Sequence, residues 1–175
     1  STTKPGFVAV IGTYGFWLKD IEIKDWAGLA AVWAVRDINM EMRGMYIHDP
    51  SYSAVDHGYG ILLDPVVNSL IVDNIIYNSQ SHFIIQGASD SNVIAYNVSA
   101  FGNYINGGYT GEWLQHEISG NHSPFPSFNL FEGNYTAQFQ SDYYYGPSGW
   151  GTLFRNRIPG NSSETNQHRL AVSID

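Results

Sequence analysis

The sequence predicts an all-β fold, a parallel β-solenoid, on three observations. A short strand–turn–strand pattern recurs along the chain, its turn position is mostly Asn, and no stretch of useful length has helical period. Self-similarity at roughly 20–50 residues marks architectures whose units cannot bury their inward side chains alone and make one continuous core by stacking.

The copies read WLKDIEI (17–23), EMRGMYI (41–47), LIVDNIIYN (70–78), VIAYNVSAF (93–101), LFEGNYT (130–136) and LFRNRI (153–158). Aligning their turns gives Asp20, Gly44, Asn74, Asn97, Asn134 and Asn156, with spacings of 24, 30, 23, 37 and 22 residues. All three residue types at these six positions tolerate or cap tight turns, and stacked Asn side chains can hydrogen-bond along the pile. A second strand precedes the first four turns: Phe7, Ala31, Ile61 and Ile84 each stand 13 residues upstream, within FVAVIG, LAAVWAV, GILLD and HFIIQG. These are short β-branched and aromatic runs bounded by Gly, Ser, Asp and Pro. The stretch 109–120 is the one candidate for a helical turn, and it is short. A β-sandwich would also be all-β, but it does not explain Asn74, Asn97, Asn134 and Asn156 at matched positions.

With these residues in view, the chain resembles the right-handed parallel β-helices of the pectin lyase-like superfamily. The segment NLFEGNYTAQFQSDYYYGPSGWGTLFRNRI (129–158) is similar to one in bacterial β-helix repeat proteins of poorly defined function. The resemblance implies a single β-helix domain over 1–175, with about six to seven coils of roughly 22 residues. It also implies a choice among polysaccharide lyases, glycoside hydrolases, epimerases, phage tailspikes and adhesins, so it narrows function by analogy alone. Neither end reads as a polar cap, and 168–175 reads like the opening strand of another coil. The expectation is a section of a longer chain, or a unit that associates end to end or laterally.

Composition removes several function classes. Eight Lys+Arg against 16 Asp+Glu give a net charge of −8, too few basic residues for phosphate-tracking nucleic-acid binding. Zero cysteines exclude disulfide scaffolds and thiolate chemistry. No apolar run reaches the ~20 residues of a membrane span. Only 3 Lys against 14 Asn, with abundant Gly, Ser and aromatics, is the composition of an exported all-β protein, secreted or at the cell surface.

Against a bare coil of 22, the spacings of 30 and 37 locate two insertions, at 49–58 and 102–123. Both start about five residues after the turn, so both are expected to rise from one edge, two coils or ~10 Å apart. That edge collects His48, His57, His82, His116 and His122, with Asp49, Asp56, Glu112 and Glu117. Tyr52, Tyr59, Tyr104, Tyr109 and Trp113 follow in the same segments. Carboxylates beside imidazoles and rings are what a glycan-processing groove needs: rings hold the apolar faces of sugars, and a carboxylate pair supplies acid and base or nucleophile. The catalytic candidates are therefore Asp49, Asp56, His57, Glu112, His116 and Glu117. The substrate-binding candidates are Tyr52, His82, Tyr109, Trp113 and His122. Polar residues are also what any loop contains, and the individual motifs are weak. His116 and Glu117 do not extend to HExxH, while a zinc set of His48, His57 and His116, or calcium on Asp49 and Asp56, is only geometrically conceivable. The sequence thus calls for no cofactor.

Two functions follow. The first is a carbohydrate-related protein that binds or cleaves an extracellular polysaccharide beside loops 49–58 and 102–123. Lyases of the superfamily neutralise uronates with Ca²⁺ or basic residues, so the charge of −8 favours a neutral glycan. The second is a non-catalytic structural or adhesive solenoid of a surface, fibre or phage tail protein. Glu132, Arg155 and Arg157 read as structural pairs along the stack.

Overall fold

A computed structural model describes residues 6–54, 57–102, 116–141, 145–160 and 171–174. It contains strands and turns, with no helix among the described residues. The strands form three principal sheets of seven, six and four strands and a two-stranded ribbon, and every pairing between strands is parallel.

The chain visits the sheets in a fixed order. Ala30–Val35 lies in the first sheet, Glu41–Arg43 in the second and Tyr46–His48 in the third; the next visit is Tyr59–Leu63, Leu70–Val72 and Ile75–Tyr77. Phe83–Ile85, Val93–Ala95 and Val98–Ala100 follow in the same order. Each strand pairs with its counterpart one visit earlier and one later, as Ile71 does with Met42 and Ile94. This is an all-β architecture of parallel sheets, consistent with a β-solenoid.

Strand alternation sorts the residues. Three-residue strands whose middle residue alone is buried send that side chain inward, as Leu18, Ile23, Ile47 and Ile76 do. Stacked register then piles Ile23, Ile47 and Ile76 into one inward file and Met42, Ile71, Ile94 and Phe131 into another. Both belong to the central apolar core with Val32, Ile61, Phe83 and Ile118.

Two files of polar side chains cross this core. In one, the backbone N and the Nδ2 of Asn74 both donate to Asn97 Oδ1 at 3.0 Å. Asn97 does the same to Asn134, and Asn134 to Asn156. The spare Nδ2 hydrogens reach back to the carbonyls of Met42, Ile71, Ile94 and Phe131. Each side chain thus satisfies turn amides that burial would otherwise leave unpaired, a loss of about 1–3 kcal/mol per group. The second file, five residues upstream, is Ser69, Asn92 and Asn129, joined in the same way.

The register corrects three details read from sequence. Asp20 and Gly44 do not share the file of Asn74; pairing places Ile21 and Met45 there. Asp20 and Gly44 instead align with Asp73, Tyr96, Gly133 and Arg155, all six at φ of 54–64° in the left-handed region. Short polar residues and Gly suit both positions, so residue type alone cannot separate them. In the first sheet, Val32 pairs with Ile61 and Ile61 with Phe83, so Ile61 stands one residue and Ile84 two residues off the expected column of Phe7 and Ala31. The insertion expected over 102–123 is shorter: Ile118–Asn121 is a strand of the first sheet, paired with Phe83–Ile85, and no helical turn occupies its described part.

Candidate functional site

The third sheet positions the two groups of residues that matter. Its strands Glu22–Lys24, Tyr46–His48, Ile75–Tyr77 and Val98–Ala100 end in Asp25, Asp49, Asn78 and Phe101, at φ of 57°, 49°, 52° and 55°. Asp and Asn accept the left-handed region readily, whereas Phe101 holds it at a cost on the order of 1 kcal/mol.

On the outer face, Tyr46 stacks on His48 with ring centroids 4.1 Å apart. His48 Nδ1 lies 2.8 Å from Asp49 Oδ2, and Nε2 lies 3.1 Å from Glu22 Oε1. Asn78 Nδ2 donates to the other Asp49 oxygen at 2.6 Å. One step along, the Tyr77 and Phe101 rings meet at 5.0 Å. Partial burial works to lower the His48 pKa, but hydrogen bonds with Asp49 and Glu22 outweigh it and raise it. The Asn78 and His48 hydrogen bonds hold Asp49 below the usual carboxylate range.

The inner face differs. The inward file of Ile23, Ile47 and Ile76 continues as Ser99 and then Thr136, both buried. There Glu117 accepts hydrogen bonds from Gly102 N at 2.8 Å, from Thr136 Oγ1 at 2.9 Å and from Ala137 N, with Ser99 Oγ at 3.5 Å. A Cβ on Gly102 would fall 2.2 Å from Glu117 Cγ, so the close backbone approach requires glycine there. His82 Nδ1 lies 2.5 Å from Ser99 Oγ, and His82 Nε2 is buried without a partner. Burial pushes the His82 pKa down to about 3 against the Ser79 backbone. Burial likewise raises Glu117, against its four donors.

The residues expected on one edge are therefore divided. Asp49 faces solvent, while His82, His116 and Glu117 are buried. His57 lies edge-on to Tyr52, with centroids 5.6 Å apart. His122 lies beyond the far end of Ile118–Asn121, edge-on to Tyr145 at 5.2 Å, because that strand carries the chain across the first sheet before His122 is reached. Asp56, Tyr104, Tyr109, Glu112 and Trp113 fall outside the described residues. His48 lies on the outer face while His116 is buried, and no group of three or more metal-ligating side chains gathers among the described residues. Glu132 receives the Tyr96 hydroxyl, while Arg155 and Arg157 lie over the rings of Phe154 and Tyr135, in place of the charge pairs expected along the stack.

Sequence reasoning passed over Asn78, Tyr77 and Phe101. Their signal was the register of the third sheet, which aligns them with Asp49 and His48. Comparison with family models, curated proteins and solved structures finds no match to the chain.

Proposed function

We propose that the chain is a right-handed parallel β-helix of the pectin lyase-like kind, exported from the cell. Its activity is to bind a neutral extracellular polysaccharide along the outer face of the third sheet and the turn that follows it. The observation that carries this reading is the alignment of Asp49, Asn78 and Phe101 at one turn, beside Tyr46, His48 and Tyr77. Phe101 is 69% exposed in a strained backbone position, a double cost that packing does not explain.

The chemistry fits sugars. Rings present apolar faces to the C–H face of a pyranose, and the Asp49 carboxylate and Asn78 carboxamide offer paired acceptors and donors for hydroxyls. Strand spacing repeats these groups every ~4.8 Å, which suits an extended polymer lying along the stack. The charge of −8 repels a polyuronate. Binding is the better reading than cleavage, because Asp49 and Glu117 address opposite sides of the third sheet and Glu117 is occupied by backbone and hydroxyl donors. An array of neutral and uronate oligosaccharides tests the reading. Retention of neutral glycans, lost in Tyr77→Ala with Phe101→Ala, is expected; no retention, or retention unchanged in that variant, would overturn it.

A further inference from the structure

The corner between the second and third sheets carries two outward columns whose order the strand register fixes. In the left-handed turn, Asp20, Gly44, Asp73, Tyr96, Gly133 and Arg155 lie one above the next. Two residues on, where each third-sheet strand begins, the column reads Glu22, Tyr46, Ile75, Val98, Tyr135 and Arg157. All six residues of this second column are exposed. Its middle members, Ile75 and Val98, are 47% and 39% exposed although both are branched aliphatics. Each has a paired coil on either side, so the exposure belongs to the lateral face of the stack.

Both columns are their own complement when the order is reversed. In the second, reversal sets Glu22 against Arg157, Tyr46 against Tyr135 and Ile75 against Val98: opposite charges, two like rings and two aliphatics. In the turn column it sets Asp20 against Arg155, Gly44 against Gly133, and the Asp73 carboxylate against the Tyr96 hydroxyl. The next outward column agrees at its centre, where reversal brings Tyr77 against Ala100, large on small.

We propose that this face binds a second copy of the chain, antiparallel, about a two-fold axis that runs along the strands between Ile75 and Val98. A face that contacts itself about such an axis has to be self-complementary, residue by residue. Asp20 with Arg155 and Glu22 with Arg157 each form twice, which places opposite-charge pairs at both ends of an apolar centre. Within one chain the two arginines lie over the rings of Phe154 and Tyr135 instead. Other arrangements fit worse. With the two stacks parallel, Asp20, Glu22, Asp73, Arg155 and Arg157 would each face their own copy. Sliding the antiparallel pair by one coil in either direction removes every charge pair, and in one direction brings Asp73 onto Asp73.

Six rungs at ~4.8 Å extend about 24 Å, less than a standard interface, so the dimer is weak and salt-sensitive. It covers Tyr46 and Tyr77, so a glycan and a second copy compete for those rings. That competition rests on the glycan reading above; the association does not, and it is measured without glycan. Sedimentation of the 175-residue chain from about 10 μM to about 1 mM should show mass rising to two chains and no further, and rising less at high salt. Arg155→Glu with Arg157→Glu should weaken association roughly tenfold or more, and adding Asp20→Arg with Glu22→Arg to the same chain should restore it. The chain has no cysteine, so a short thiol-reactive cross-linker reads the geometry. Tyr46→Cys mixed with Tyr135→Cys should give a linked dimer, and neither variant alone should. A wild-type chain that stays monomeric over this range overturns the proposal, whatever the glycan measurements show. So does growth beyond two chains, association unchanged by the arginine reversals, or cross-linking of either cysteine variant alone as readily as of the mixture.

Discussion

Two histidine–carboxylate neighbourhoods lie on opposite faces of the third sheet, and their chemistry runs in opposite directions. Outside, His48 is raised and Asp49 lowered, each pushed toward its charged form by hydrogen bonds that include one to the other, with Asp49 open to solvent. Inside, His82 is lowered to about 3 and Glu117 raised, each pushed toward its neutral form by burial. The residue types are alike; the side of a strand on which they fall decides whether they order the interior or meet a ligand. Composition cannot make that distinction, because a one-residue change of phase moves a side chain through the wall.

The sharpest way to break the comparison is to remove one carboxylate from each side. Glu117→Ala takes the acceptor from the amides of Gly102 and Ala137, and should cost about 2–5 kcal/mol in urea unfolding. Asp49→Ala, on the exposed face, should cost about 0–1 kcal/mol by the same measurement. Equal losses would mean that the two neighbourhoods do not differ as described.

The Asn file supplies a control for interior polarity. Asn97→Ala leaves the Asn74 amide and the Ile71 carbonyl without their partner, and should destabilise by about 2–4 kcal/mol in urea unfolding. A change below about 0.5 kcal/mol would show that solvent or neighbours replace the bond readily.

The third test is pH. Unfolded, His82 takes up its proton near 6.5; folded, only near about 3, so the unfolded chain binds more protons between those values. Its contribution is full above pH 6.5 and is lost as pH falls toward 3. Glu117 has the opposite sign: the folded chain keeps that proton above the ordinary 4.5, so this term weakens the fold as pH rises through the raised pKa. His82→Gln should flatten the melting-temperature profile below pH 6.5. A profile as steep as wild type would assign the acid sensitivity elsewhere. The smallest effect belongs to His48→Ala, which should leave melting within a degree or two of wild type while weakening glycan retention a few-fold.

Much of the architecture was legible in the sequence, for a physical reason. Parallel stacking repeats one environment at a fixed interval, so Asn74, Asn97, Asn134 and Asn156 fall in one file that a count of residues can find. The companion file of Ser69, Asn92 and Asn129 was equally available, five residues upstream of three of them, and went unread because Ser broke its uniformity. Asp20 and Gly44 were placed one column off because the left-handed turn and the Asn rung are adjacent and favour the same residue types. The site was harder. That Glu117 turns inward follows from its place at a corner, where strand alternation gives no rule. The one trace was the change from Ile76 to Ser99 and Thr136 in a file that begins aliphatic.

The claim that rests on all of this is that the outer face of the third sheet holds a neutral glycan while the inner face holds the fold. Retention of the wild-type chain and two variants on one oligosaccharide array tests it directly. Neutral glycans should retain wild type and Glu117→Gln alike and release Tyr77→Ala with Phe101→Ala. Retention lost in Glu117→Gln but kept in the double variant, with both folded by circular dichroism, would contradict it.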